Sequence, residues 1–227
     1  MNLIFISKNH IAGNVWAFVF QPSEPMTWVA GQYIRVELPH INPDIKGTKR
    51  YFTISSAPFE NVVNITTRIT DSTFKQALSK LSKGAELSLL NNPDGDFVWQ
   101  DFDQPIIFIA GGIGVTPFYS IIKQRIHDNL PLNTTLVYVN RTDEIPFKQE
   151  FDQWAVDDLT FNVKYEIGVP LTAEYLMTNY PNMNTSVLYL SGPESMVEII
   201  GNQLQKNGLP KSQLKQDYFS NYTENNY

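Results

Sequence analysis

The sequence predicts two domains in tandem: an antiparallel β-barrel over residues 1–100, then an α/β domain with a parallel sheet over residues 101–227. Three observations predict this. Up to about residue 98, short alternating or β-branched runs dominate, with turn residues between them at close spacing. After residue 103, strand-like apolar runs alternate with amphipathic segments, the rhythm of a parallel sheet covered by helices. The Gln100–Gln104 stretch shows neither pattern, which places the boundary there.

In the first half, the strand runs are VWAFVFQ (15–21), YIRVELP (33–39), RYFTISS (50–56), VVNITTRI (62–69) and AELSLL (85–90). Pro25, Gly31, the NPDIKG segment, Ala57-Pro58, Lys83-Gly84 and Asn92-Pro93-Asp94-Gly95 punctuate them. One helix interrupts, from Ser72 to Lys80, with Phe74, Ala77, Leu78 and Leu81 on one face. In the second half, PIIFIAG is apolar without alternation and so reads as a buried strand. The helix after it runs from Pro117 to His127, with Phe118, Ile121, Ile122 and Ile126 at helical spacing. Strands follow at 134–140, 161–167 and 186–192, and helices at 146–155, 172–180 and 194–208, the last ending at a glycine.

Composition narrows the function. Of 227 residues 42% are hydrophobic and 18% charged, enough apolar content for a real core. The net charge of -6 shows no basic excess for nucleic acid. Cysteine is absent, which excludes disulfides, thiolate zinc sites, cysteine nucleophiles and iron–sulfur clusters held by this chain. The N-terminal MNLIFISKNH carries only a short apolar run before Lys8, so a signal peptide is not expected, and no run approaches the roughly 18 apolar residues of a membrane span. These features fit a cytoplasmic chain. The three histidines are scattered, no metal-ligand spacing occurs, and neither G-x-S-x-G nor H-E-x-x-H is present.

The chemistry-bearing stretches are two. IAGGIGVTPF (109–118) ends an apolar strand and opens a helix. Glycines at a strand's carboxyl end let backbone N–H groups approach a phosphate, and the helix that follows adds its positive end. Gly112 and Gly114 sit as in a dinucleotide fingerprint, but Pro117 holds the place of the third glycine. Proline suits a first helical turn, and Thr116 either caps that helix or bonds a phosphate oxygen. An ordinary strand–helix turn that needs glycine for geometry is the plain alternative. The second stretch is RITDSTFK (68–75), where a strand meets a helix with two hydroxyls and Lys75 one turn in. Together with Arg50 it forms a second candidate anion site. One such device in each half suggests two nucleotides facing each other.

In this combination and order, along nearly its whole length, the chain resembles the ferredoxin–NADP reductase family. Gly31-Gln32-Tyr33 looks like the strand preceding that family's flavin site, and Arg50-Tyr51-Phe52-Thr53 is similar to its R-x-[YF]-[ST] motif. Asn92-Pro93-Asp94-Gly95-Asp96-Phe97 resembles its G-P-x-G-x-F turn, with Asn92 for the first glycine. Gly111-Gly112-Ile113-Gly114-Val115-Thr116-Pro117 matches its G-G-x-G-[IV]-[TA]-P turn, in which proline is expected.

The resemblance implies an FAD-binding barrel and a Rossmann-like NAD(P)-binding domain. It implies that Arg50 pairs with the FAD diphosphate, that Phe52 packs on the flavin or ribityl region, and that Thr53 lies near N5. Tyr51, Ser55, Thr66, Thr67, Arg68, Ser72, Thr73 and Lys75 complete the FAD set. Gly111, Gly112, Gly114, Thr116, Pro117, Asn140, Arg141, Gly192, Pro193 and Met196 form the NAD(P) set. Where the family often has C-G-P, this chain has Ser191-Gly192-Pro193, so Ser191 joins Thr53 as a candidate catalytic residue. Phe219 or Tyr222 would shield the flavin face or simply pack on the domain edge. Arg141, at the end of the second strand of this domain, favours NADP over NAD, although Asp143 and Glu144 follow at once. The implied activity passes electrons from NAD(P)H through FAD to a separate acceptor, such as ferredoxin or flavodoxin. The rival is a flavin- or nucleotide-binding electron-transfer or regulatory subunit without turnover of its own.

Overall fold

A computed structural model of the chain describes residues 1–218. Six strands form the first sheet: β1 (Asn2–Ala12), β2 (Val15–Pro22), β3 (Tyr33–Glu37), β4 (Lys49–Thr53), β5 (Val63–Arg68) and, after helix α1 (Thr73–Ser79), β6 (Glu86–Leu89). Their order is β4-β3-β6-β1-β2-β5, and every pairing is antiparallel. The edge strands β4 and β5 meet just past Thr53, where the Ser55 amide donates to the Asn64 carbonyl at 2.9 Å, so the sheet curls into a barrel. The strands alternate as half-buried strands must: β3 buries Ile34 and Val36, and β4 buries Arg50 and Phe52 while Lys49 and Tyr51 turn outward. Phe18, Phe20, Ile34, Ile65 and Leu87 fill the interior, and α1 plugs one end with Phe74 and Leu78.

The strand β1 extends well beyond the short N-terminal apolar run. Its outer half, from Ser7 to His10, is polar and largely exposed, and two register shifts against β2 break its alternation. An exposed, bulged strand leaves no apolar signature in the sequence.

The second sheet is parallel, of order β11-β10-β7-β8-β9, from β7 (Ile106–Gly111), β8 (Thr134–Asn140), β9 (Phe161–Ile167), β10 (Val187–Ser191) and β11 (Leu214–Asp217). Helices α2 (Thr116–His127), α3 (Lys148–Asp157), α4 (Ala173–Asn179) and α5 (Glu194–Lys206) connect them. The central strands β7 and β10 are buried along their whole length because both faces are covered. Phe108 and Ala110 pack toward Phe118 of α2 and Phe151 of α3. Ile107 and Ile109 face Leu176 of α4 and Val197 of α5. The edge strand β11 pairs with β10 through the residues LKQD, whose polarity hid it from sequence reading.

The two sheets share a core. Phe97, at the end of the Asn92–Phe97 turn, sits among Phe118 and Tyr189 at ring distances of 5.5 and 5.3 Å. The Ser120 hydroxyl donates to the Ser56 carbonyl at 2.7 Å, and Lys123 pairs with Glu60 at 2.7 Å. Apolar packing and buried polar contacts therefore fix one sheet against the other.

Candidate functional site

At the carboxyl ends of β7, β8 and β10 lies a cleft of about 830 Å³, where open α/β sheets bind ligands. Its floor is the turn after β7. Gly112 has φ +54°, and a side chain added there would meet no atom within 4 Å, so its backbone faces open space. Gly114 serves another purpose: an added Cβ would lie 2.6 Å from the Gly192 Cα, so glycine lets two turns of the sheet touch. Pro117 sits in the first turn of α2, whose regular start it permits. Thr116 is buried and its hydroxyl donates to the Ile113 carbonyl at 3.1 Å; it neither caps the helix nor lines the cleft.

Gly111, Asn140, Arg141, Pro193 and Met196 all border the cleft. The amide nitrogen of Asn140 and the hydroxyl of Tyr138 are both buried, and they are close enough to act on one another. A buried amide donor at a cleft wall is a place for a ligand acceptor. The residues of this turn thus fit a dinucleotide phosphate and its ribose. The barrel adds Asn14, Arg68 and Thr70 to the rim, and Arg68 is oriented by a 2.9 Å bond to the Asn14 side-chain oxygen.

The barrel's candidate site lies around Arg50, whose guanidinium is 3% exposed and lies 5.1 Å from the Phe74 ring. Lys75 is buried below it. Burial, reinforced by the charges of Lys46, Arg68 and Arg50, pushes its ammonium down to about 7. Four cationic side chains gathered this closely favour a polyanion, which fits the diphosphate of FAD. Arg68 belongs to both regions, since it borders the cleft and is felt by Lys75. The Ser72 hydroxyl and the Thr73 amide point at the carboxylate of Asp44, at 3.2 and 3.3 Å.

Other expected residues sit differently. The ring of Phe52 is buried in the barrel core, 5.8 Å from Phe74, and the exposed ring on β4 is Tyr51, edge-on to Tyr33 at 5.7 Å. Strand alternation decides this, since neighbouring residues face opposite sides. Ser55 bonds the Asn64 carbonyl at 3.0 Å and the Thr66 hydroxyl at 2.7 Å, inside the barrel wall, and Thr67 is buried in β5. Thr53 ends β4, 6% exposed. Phe219 and Tyr222 lie outside the described residues.

Ser191 is fully buried at the end of β10, with Gly192 and Pro193 leading on to α5. Its hydroxyl donates to Asp217 at 3.4 Å. Sequence reading missed Asp217, because only the parallel register of β10 and β11 sets it opposite Ser191. Burial pushes the Asp217 carboxyl up to about 6. Asp44 was also missed, hidden in what looked like a turn segment.

Comparison with known proteins agrees with this fold. Residues 108–202 match the family described as oxidoreductase NAD-binding domain. That match lies within the parallel-sheet domain. Over its length the chain is 25% identical to flavohemoprotein A of Dictyostelium discoideum, covering 93% of this chain and 58% of that protein. The chain spans about half the length of such relatives. Its fold matches the flavohem-like FAD/NAD-binding domain of nitric oxide dioxygenase from Vibrio cholerae, at a TM-score of 0.80 and 20% identity over 96% of this chain and 98% of that one. It also matches a ferredoxin NADP+ reductase from Neisseria gonorrhoeae with bound FAD and NADP, at 0.80 and 16% over 96% and 97%. The two-domain fold is therefore that of the ferredoxin–NADP reductases, and the resemblance read from the sequence holds. Among the described residues no helix is long and apolar enough to cross a membrane.

Proposed function

We propose that the chain is an FAD-dependent NAD(P)H oxidoreductase that passes electrons to a separate acceptor. One observation carries this reading: a cation cluster in the barrel and a glycine-floored cleft in the parallel-sheet domain adjoin, with Arg68 common to both. When bound, FAD and NAD(P)H supply the redox chemistry, a hydride passing from nicotinamide to flavin. The chain's residues supply position. Arg50, Lys75, Ser72 and Thr73 hold the diphosphate of FAD, and Thr53 and Tyr51 stand at the end of β4 where the ring system would lie. The backbone around Gly112 and the Asn140 amide hold the second nucleotide. Ser191 and Asp217 stand at the sheet's carboxyl edge, where the serine holds the carboxyl in place and the carboxyl can hold a proton near neutral pH.

Arg141 on the cleft wall suits a 2′-phosphate, which favours NADPH as donor. The acceptor is a separate protein or domain, with ferredoxin, flavodoxin and a haem domain of the kind implied by the flavohemoprotein relatives as the leading classes. The visible spectrum of the purified chain tests the cofactor, and anaerobic mixing with NADPH or NADH tests the chemistry. Yellow protein bleached by either nucleotide supports the proposal. A chain that takes up no FAD, or whose flavin neither nucleotide reduces, overturns it.

A further inference from the structure

The loop between β3 and β4 meets the FAD seat in an unexpected way. Arg50 commits its donors within the chain. Its Nη1 donates to the carbonyls of Lys46, Gly47 and Lys49 at 2.8–2.9 Å, and its Nη2 to both Asp44 oxygens at 2.7 and 2.9 Å. The same carboxylate accepts from the Ser72 hydroxyl at 3.2 Å, the Thr73 amide at 3.3 Å and the Lys46 amide at 3.0 Å. Guanidinium, hydroxyl and amide donors converging on one anion are the set a phosphate oxygen takes. Arg50, Ser72 and Thr73 are also the residues assigned to the FAD diphosphate, so one seat has two claimants. Burial alone would raise the Asp44 carboxyl, but the bonds and charge of Arg50 outweigh it and hold the group low, hence ionised.

The loop that delivers Asp44 has little else to anchor it. Ile41 and Ile45 are 88% and 104% exposed, so no apolar burial pins it down. Asn42 and Gly47 have positive φ, at 51° and 67°, and nothing lies within 4 Å of a Cβ built at Gly47. Its remaining ties are few: the Asp44 amide and the His40 ring meet the Thr73 hydroxyl at 2.9 and 3.0 Å, the Thr48 hydroxyl donates to Glu37 at 2.8 Å, and the His40 ring lies edge-on to Phe74 at 6.0 Å. Such contacts exchange for water or for another anion at small cost.

We propose that Asp44 is a built-in stand-in for the cofactor's diphosphate: its carboxylate fills the anion seat of the FAD-free chain, and residues 40–48 swing aside when FAD takes Arg50, Ser72 and Thr73. The proposal rests on the flavin reading above. It gives the buried cations an anion in the absence of cofactor, and it makes FAD compete with the chain itself. A diphosphate carries more charge than one carboxylate, so Lys75 and Arg68 tip the exchange toward FAD.

Fluorescence titration of cofactor-stripped chain with FAD tests the competition. Asp44→Asn, which keeps the side chain's shape and removes its charge, should bind FAD roughly tenfold more tightly than the unaltered chain. Equal or weaker binding would overturn the proposal and show Asp44 to be a positioning residue for Arg50. Hydrogen exchange on the unaltered chain gives a second test that needs no variant. The Lys46 and Gly47 amides, now bonded to Asp44, should exchange faster once FAD is bound, while the barrel strands slow. Slower exchange across residues 40–48 overturns it. If neither the unaltered chain nor the variant takes up FAD, the flavin reading falls and this inference with it. FAD uptake unchanged by the substitution removes this inference alone.

Discussion

The phosphate seats proposed for the barrel and for the parallel-sheet domain are built by opposite means. The barrel uses charge: Arg50, Lys75, Lys46 and Arg68 crowd together, and the chain places the Asp44 carboxylate among them. The parallel-sheet domain uses backbone and space: Gly112 faces an open cleft, and a buried amide, Asn140, stands on its wall. The difference has a physical root. Clustered buried cations are costly without a counter-charge, so a charge-built seat needs an occupant in every state. A glycine turn bears no net charge and can stand open at no such cost.

That contrast can be broken in several ways, taken from the largest expected effect down. Gly114→Val should act on structure, since its side chain would collide with the Gly192 backbone. A loss of about 3 kcal/mol in urea unfolding is expected, with NAD(P)H-dependent reduction lost too; a variant of ordinary stability would mean that the turns can part. Arg50→Ala should act on charge. It removes the main cation and leaves Asp44 unpaired, so FAD retention on gel filtration should fall by roughly 30-fold in affinity, and unaltered retention would refute the role given to Arg50.

Asp217 lies where the two regions face one another. Its folded pKa, about 6, is above the unfolded value, so the ionised form is penalised in the fold. Below about pH 4 both states are protonated and the penalty vanishes; it grows as pH rises and is complete above the folded pKa. Asp217→Asn should therefore melt with the unaltered chain at low pH and be more stable by about 1–2 kcal/mol above pH 6. Melting curves that stay parallel at every pH would contradict the burial of a titrating carboxyl. The smallest effect is expected at the cleft wall. Arg141→Ala should raise KM for NADPH by roughly tenfold and for NADH far less; equal changes would remove the case for NADP.

Much of this was legible without coordinates because the signals are local. The runs 134–140 and 161–167 coincide with β8 and β9 to the residue, since period and turn chemistry depend on neighbours in sequence. The GGIGVTP turn announced itself for the same reason. The strands β1 and β11 did not: one is bulged and half exposed, the other a polar edge held only by its partner. Phe52 and Tyr51 were adjacent candidates, and only the curl of the barrel fixed which ring turned inward.

By itself the sequence determined the order of most elements, the two-domain fold, and the residue types suited to a phosphate, because these follow from periodicity and from the conformational needs of glycine and proline. The tertiary structure alone decided which groups of distant sequence share a site. Asp217 reaches Ser191 across 26 residues, and Asp44 reaches Ser72 across 28. Such pairings depend on register between strands and on the path of a loop. Neither is encoded in a local pattern, and both decide where the charge of this protein finally rests.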